Sequence, residues 1–351
     1  MADLPIALDA MGGDRMPYAA IAGARAAAQR GTSVLLVGKE ELLRTKLEEA
    51  GGTPAGAAPI TILHADDVIA MEDHASDVRR RRDASIRVAA EAVKEGKASA
   101  LVSMGHSGAT MAAALLLFGR IEGVERPAIV ATIPAKTGPV ALVDVGANAD
   151  CRPSMLQQFA VMGTVYSRIA HGKDNPTVGL LSIGEEPGKG NELTRATYTL
   201  LEATPGIHFH GNVEGRDILA GTTDVVVTDG FTGNVVLKLA EGEARVLFGW
   251  VRDALKSDLR SSLGGLLAKP ALRKVADRLD PSTYGAQPLL GVTHPTFIGH
   301  GSADARAVEN ALAFAQATVE EGLVARLSKN LALSVKAPEE GASETGTEQE
   351  A

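Results

Sequence analysis

The sequence predicts an α/β fold, a mostly parallel, doubly wound sheet with helices on both faces. Three observations carry that expectation. Short β-branched runs recur along the chain, each ends in a Gly-rich or polar loop, and an Ala/Leu-rich stretch of helical length usually follows. Apolar residues make up 45% of the 351 residues, ample for a buried core. Aromatics are only 3%, which suits helices packed on a sheet better than an aromatic binding face.

The elements follow in order. A strand at 5–8 leads into Asp9-Ala10-Met11-Gly12-Gly13-Asp14 and an Ala-rich helix at 18–29. A strand at 34–37 leads through Gly38 into a helix at 39–49, and 60–63 is a further strand. A strand at 100–103 runs into Gly105-His106-Ser107-Gly108 and an apolar helix at 109–118. Strands at 140–143, 178–183, 207–209 and 225–227 each precede a polar loop. In such sheets ligands bind beyond the carboxyl ends of the strands, so these loops are expected to gather on one edge.

Two segments break the rhythm. Residues 246–280 mix leucines at helical spacing with Lys256, Arg260, Lys269, Arg273 and Lys274; Gly264-Gly265 and Pro270 interrupt them. The expectation is an insertion of two short amphipathic helices. Later, Ser302 can cap a helix whose Val308, Leu312, Ala315, Val319 and Leu323 form one apolar stripe. Residues 1–336 read as one α/β unit or two interleaved lobes, and 337–351 as a disordered acidic tail.

Net charge is −8, but the last fifteen residues hold five glutamates and no base, so the rest is only −3. A nucleic-acid partner is not expected without a basic excess. The single cysteine, Cys151, permits no intrachain disulfide and suits a reducing compartment. The start lacks a basic region before its short apolar run, which argues against a secretory signal. The longest apolar run, 111–118, is too short to cross a bilayer.

The loops carry the chemistry. Gly105, His106, Ser107 and Gly108 stand between a strand and a helix, where free N–H groups and a positive dipole end make an anion cradle. No Gly-Lys-Ser/Thr follows, so it is not a Walker loop. Lys189, between Gly188 and Gly190, offers a mobile charge for phosphate or an oxyanion, or is a solvated loop lysine; Asn191 donates or starts a helix. Asp229 accepts a proton or caps the helix that carries Thr232, Asn234 and Lys238. Asp9, Asp14, Asn148, Asn212, Glu214 and Arg216 occupy similar strand-end loops. His300, between two glycines and beside Ser302, is a donor to an oxyanion, a general acid, or a loop histidine. No metal-ligand spacing and no Gly-x-Ser-x-Gly elbow appear, so neither metal nor cofactor is expected.

Set in order, these motifs resemble the bacterial phosphate acyltransferase family, the acyl-ACP:phosphate transacylases, up to about residue 330. The series is 8–14, Arg82-Asp83-Ala84-Ser85, 102–109, 144–148, 184–191, 211–216, 228–234 and His300-Gly301-Ser302. The resemblance implies a fold like phosphotransacetylases and isocitrate- or isopropylmalate-type dehydrogenases. It implies transfer of a long-chain acyl group from acyl carrier protein to inorganic phosphate, giving acyl phosphate for phospholipid synthesis. It also implies a cytoplasmic homodimer, loosely held at the inner face of the membrane, that hands its product to a glycerol-3-phosphate acyltransferase. The family's usual Gly-Asn-Thr-Gly-Ala reads Gly105-His106-Ser107-Gly108-Ala109 here, and the acidic tail has no family counterpart.

On that reading Lys189, His300, Asp229 and Asn234 are the catalytic candidates. The substrate-binding candidates are Asp9, Gly12, Gly13, Ser103, Gly105, His106, Ser107, Gly108, Asn148, Gly190, Asn191, Asn212, Thr232 and Ser302. Ionised phosphate can attack a thioester directly, because a thiol is a fair leaving group, so no covalent acyl-enzyme is required. Two surface expectations accompany it: leucines of 246–280 resting on lipid or forming a dimer interface, and Arg79 to Arg82 either steering the acidic carrier or forming a solvated charged face. The rivals are a dehydrogenase or coenzyme A phosphotransacetylase of the same fold, and a non-catalytic anion-binding regulator.

Overall fold

A computed structural model of the chain describes residues 4–334; the acidic segment 337–351 lies outside the described residues. The strands are β1 Ile6–Asp9, β2 Val34–Gly38, β3 Ile60–His64, β4 Ala100–Ser103, β5 Ala128–Ala135 and β6 Gly138–Val143. They continue with β7 Thr177–Leu181, β8 His208–Val213, β9 Val225–Val227, β10 Ala286–Leu290 and β11 Thr296–Gly299. All join one sheet in the order β3-β2-β1-β4-β11-β10-β5-β6-β9-β7-β8.

The central strands are buried on both faces, which is why they read as continuous apolar runs. In β1, Ile6 and Leu8 pack against α1 (Tyr18–Gln29) and α10 (Ala305–Glu320), while Ala7 packs against α3 (Ser85–Lys94) and α4 (Ser107–Leu117). In β6, Ala141 and Val143 face α5 (Pro153–Ala170), α6 (Glu192–Glu202) and α11 (Leu323–Ser334), and Val140 and Leu142 face the opposite side. The doubly wound expectation holds. The remaining helices are α2 (Glu40–Glu49), α7 (Gly215–Ala220), α8 (Gly230–Leu255) and α9 (Leu259–Leu279).

One expectation needs correction. β11 is parallel to β4, but β10 is antiparallel to β11, β5 to β10, and β6 to β5. Three reversals leave β6, β9, β7 and β8 pointing opposite to β1, β2, β3 and β4. The strand-end loops therefore fall into two sets rather than along one edge.

The helical insertion also differs from its expected form. α8 begins at Gly230 and runs unbroken to Leu255, and the break lies at 256–258. Gly264, Gly265 and Pro270 all lie inside α9, which buries none of its residues. Ser302 does not cap the helix that follows; Asp304 does, accepting from the Ala307 N–H at 2.9 Å. Among the described residues no helix is long and apolar enough to cross a membrane.

Candidate active site

β1 ends in Asp9, and the turn that follows folds back on its side chain. Asp9 Oδ1 accepts from the N–H groups of Met11 and Gly12, at 3.3 and 3.2 Å, and from Ser85 Oγ at 2.7 Å. Oδ2 accepts from Ser103 Oγ at 2.9 Å, and Ser103 Oγ in turn accepts the Gly105 N–H at 3.1 Å. One carboxylate thus fixes the ends of β1 and β4. Burial pushes this carboxyl above its usual range, and the two hydroxyls and two amides pull against that shift.

The two turns touch. A Cβ on Gly12 would sit 2.6 Å from Asp9 Oδ2 and 2.9 Å from Gly105 Cα, so backbone packs on backbone. The Asp14 N–H donates to the Gly301 carbonyl at 2.8 Å, which brings the turn after β11 to the same place.

His106 is the N-cap of α4. Its Nδ1 accepts the Ala109 N–H at 3.2 Å, which puts the ring proton on Nε2, 3.1 Å from the Asp73 carbonyl it donates to. Both ring nitrogens are occupied. By contrast, the N–H groups of Gly13, Ser107 and Gly108 and the Ser107 hydroxyl find no partner among the described residues. Ser107 is exposed. Unspent donors at the start of a helix are what an anion needs. Nearby, His300 Nδ1 accepts the Ser302 N–H at 3.3 Å and lies 2.9 Å from Ser302 Oγ, so Nε2 carries the proton and has no partner among the described residues.

The second set begins at β6. Asp144, fully buried, accepts at Oδ1 from the N–H groups of Ile129, Gly146 and Ala147 and at Oδ2 from the N–H and Nδ2 of Asn148, at 2.8 to 3.2 Å. Burial raises this carboxyl too, against those donors. Asn148 Nδ2 also donates to the Pro127 carbonyl at 2.8 Å. Asp229 caps α8: Oδ1 accepts the Thr232 N–H and Oδ2 the Thr232 hydroxyl, both at 2.8 Å. Asn234 is exposed and lies over Gly146, where a Cβ would meet Asn234 Nδ2 at 2.8 Å.

Beyond β7 and β8, Asn191 caps α6 through the Thr194 N–H at 2.9 Å, and Gly190 has the left-handed φ of +97°. Asn212 Nδ2 donates to the Glu186 carbonyl at 2.8 Å, while its buried Oδ1 has no partner among the described residues. Lys189 is exposed, and its ammonium pairs with no carboxylate among the described residues.

So the structure joins Asp9, Gly12, Gly13, Ser103, Gly105, His106, Ser107, Gly108, His300 and Ser302 in one nest. It gathers Asn148, Asp229, Thr232, Asn234, Lys189, Gly190, Asn191 and Asn212 on the carboxyl ends of β6, β9, β7 and β8. No hydrogen bond or ion pair among the described residues links the two sets. Of the arginine run, Arg81 bridges Asp67 and Asp73 and Arg80 pairs with Asp77; Arg79 and Arg82 pair with no carboxylate among the described residues. No cluster of three or more metal-ligating side chains occurs among the described residues.

The comparison with known proteins agrees with the motif order. A family model described as "Fatty acid synthesis protein" matches residues 4–326. A phosphate acyltransferase of Thermus thermophilus is 59% identical over 326 residues, covering 93% of this chain and 98% of that protein. This chain belongs to the phosphate acyltransferase family. It is accordingly an acyltransferase. The Deinococcus radiodurans phosphate acyltransferase is 58% identical over 282 residues, 80% of this chain and 78% of that one.

Solved structures agree in fold alone. A Streptococcus pyogenes phosphotransacetylase has a TM-score of 0.60 at 16% identity, covering 91% of this chain and 95% of that one. A 4-hydroxythreonine-4-phosphate dehydrogenase from Klebsiella pneumoniae has a TM-score of 0.51 at 14% identity, covering 90% and 99%. The expected likeness to phosphotransacetylase and dehydrogenase folds is met.

Two residues that hold these nests together, Ser85 and Asp144, stand outside the candidates read from the sequence. A signal exists for Asp144. Like Asp9, it directly follows a β-branched run and precedes a glycine by two or three residues. For Ser85 only its place beside Arg82 and Asp83 hints at a role.

Proposed function

We propose that this acyltransferase moves a long-chain fatty acyl group from acyl carrier protein to inorganic phosphate, releasing acyl phosphate and free carrier without a covalent acyl-enzyme. The observation that carries the reading is the set of unspent donors at Gly13, Ser107 and Gly108. Phosphate binds there through its oxygens, the walls being held by Asp9, Gly12, Ser103, Gly105 and His106. A phosphate oxygen attacks the thioester carbonyl; the C–S bond breaks as the C–O–P linkage forms. The departing thiolate takes its proton from the attacking hydrogen phosphate, which becomes more acidic once acylated, while His300 Nε2–H, held in that tautomer by Ser302, donates a hydrogen bond to the sulfur.

For the transfer, the second set has to face the first. Twist of roughly 20–25° per strand, over the six steps from β1 to β9, turns the strands by roughly 120–150° and offsets most of the reversal in direction. Lys189, freed by Gly190 and anchored by Asn191, then supplies charge to the oxyanion. Asp229 and Thr232 fix the start of α8, Asn234 and Asn148 shape the wall beside it, and Asn212 holds the 184–190 loop.

Cys151 is not the nucleophile. Its half-buried thiol lies 3.6 Å from the Asn148 carbonyl, and burial pushes it up to about 11.

The same proposal makes the enzyme a cytoplasmic homodimer, loosely attached to the inner face of the membrane and serving a glycerol-3-phosphate acyltransferase. What supports it is the surface of α8 and α9. A groove of about 520 Å³ on α8, lined by Leu239, Val246, Leu247 and Trp250, suits a second copy. Leu259, Leu263, Leu266 and Leu267 are exposed on α9 among basic residues, as lipid contact needs.

The test is release of free thiol from palmitoyl-acyl carrier protein with and without phosphate, beside palmitoyl-CoA and acetyl-CoA. Phosphate-dependent release from the carrier substrate is expected. Release that ignores phosphate, or that prefers acetyl-CoA, rejects the proposal.

A further inference from the structure

Building on the reading of Gly13, Ser107 and Gly108 as the phosphate cradle, we propose that Arg81 is a positioning residue that sets both walls of that cradle without touching phosphate. Four arginines stand in a row at 79–82, yet only Arg81 is forked between two carboxylates. Its Nε and Nη2 donate to the two oxygens of Asp67 at 2.6 and 2.5 Å, its Nη1 donates to Asp73 Oδ2 at 2.6 Å, and Nη2 also reaches the Val68 carbonyl at 2.5 Å. The fork ties the 67–73 loop into one conformation, and Asp73 Oδ2 adds the Ala70 N–H at 2.8 Å.

Two chains of contacts leave this clamp, one to each wall. From Asp73, the main-chain carbonyl receives His106 Nε2–H at 3.1 Å, and His106 Nδ1 receives the Ala109 N–H, which seats the first turn of α4. From Asp67, the carbonyl accepts the Ser85 N–H at 2.8 Å. The Ser85 hydroxyl then donates to Asp9, whose Oδ1 holds the turn at Gly12. The fork adds to the bonds that already seat this loop, the Ala65 N–H on the Gly38 carbonyl and the Asp67 N–H on the Asp83 carbonyl, and to the burial of Ala65 and Ile69 in the core. Without the guanidinium, two carboxylates would face each other in that loop with no cation between them, and both chains would lose their fixed origin.

The chemistry of the parts dictates the variants. A lysine keeps the charge but is a point donor and cannot span two carboxylates in a plane. His106 acts here as one acceptor and one donor, a pair that a carboxamide also supplies. Arg81→Lys, His106→Ala and His106→Asn would be made in the full chain. Inorganic phosphate binding would be measured by isothermal titration, and KM for phosphate and for palmitoyl-acyl carrier protein by thiol release.

Arg81→Lys and His106→Ala should each weaken phosphate binding and raise the phosphate KM by on the order of tenfold to a hundredfold, the cost of a small displacement of positioned groups. In Arg81→Lys, kcat and the carrier KM should stay near the wild-type values, and His106→Asn should recover most of the binding lost in His106→Ala. Arg81→Lys binding phosphate like wild type would overturn the proposal. So would a parallel loss in kcat and in both KM values, the mark of general loosening. The wild type judges the function separately. Wild-type turnover with unchanged phosphate binding in Arg81→Lys sinks only the positioning role. Phosphate binding weakened by Arg81→Lys in an enzyme with no turnover sinks only the function. A wild type that binds no phosphate sinks both.

Discussion

Asp9 and Asp144 occupy the same kind of place in two regions of the sheet and are used differently. Each is a buried aspartate after a central strand, each folds its own turn onto its carboxylate, and each turn packs on a glycine of the helix entry beside it. Gly12 meets Gly105 before α4; in the other region a Cβ on Gly233 of α8 would lie 1.9 Å from the Asp144 carbonyl. Asp144 takes all five of its bonds from main-chain amides and Asn148, and in the helix entry beside it the Asn148 carbonyl accepts the Gly230 N–H and Asp229 the Thr232 N–H, leaving the Phe231 N–H alone without a partner among the described residues. Asp9 takes two amides and two serine hydroxyls and leaves Gly13, Ser107 and Gly108 with donors to spare. The same motif is thus a keystone in one region and the back of a binding pocket in the other. What separates them is which N–H groups the protein itself has used.

The largest expected effect follows directly. Asp144→Ala would strip partners from several buried amides at about 1–3 kcal/mol each, enough to unfold most of the chain in a denaturation experiment. Asp9→Ala, which strips two amides and two hydroxyls, should cost less stability than Asp144→Ala and bind phosphate poorly; equal stability losses with equal phosphate affinity would erase the distinction. Next, Ser107→Ala should lower kcat/KM for phosphate by about tenfold, the value of one hydrogen bond to a charged group, at nearly unchanged melting temperature. Thr232→Ala, its counterpart beside Asp144, should leave the phosphate KM alone.

A third change lies outside both nests. Replacing Leu263, Leu266 and Leu267 with serine should abolish sedimentation with anionic vesicles while phosphate KM in detergent is unaltered; undiminished sedimentation would remove the lipid contact. The smallest effect is expected at Cys151. With its thiol near 11, little thiolate exists at pH 8 and the fraction grows only as pH approaches that value. Alkylation by iodoacetamide should be slow at pH 8, and Cys151→Ser should change kcat by less than about twofold, well under 1 kcal/mol.

Much of the fold was legible because local pattern and tertiary role coincide. β4 and β9 fall where apolar runs end in Gly-rich loops, at Ala100–Ser103 and Val225–Val227. The antiparallel centre was not legible. β5 contains Pro134 and β10 contains Pro288, residues that argue against a strand, and only the pairing shows Pro134 set opposite Pro139 and Pro288 opposite Phe297. At the site, the sequence supplies good caps in Asn191 and Asp229, and both do cap helices, while the cap at His106 is seen only in the structure. Which donors stay free could not be read, because Asp9 is satisfied by Ser85 and Ser103, 76 and 94 residues away. Reversal of strand direction between the two sets is equally a property of pairing, not of any local run.

The most direct measurement is a crystal of the full chain soaked in orthophosphate. The account predicts phosphate density against the N–H groups of Gly13, Ser107 and Gly108 with an oxygen on the Ser107 hydroxyl. Density at the start of α8 beside Asp229 instead, with the α4 entry holding only water, would contradict it.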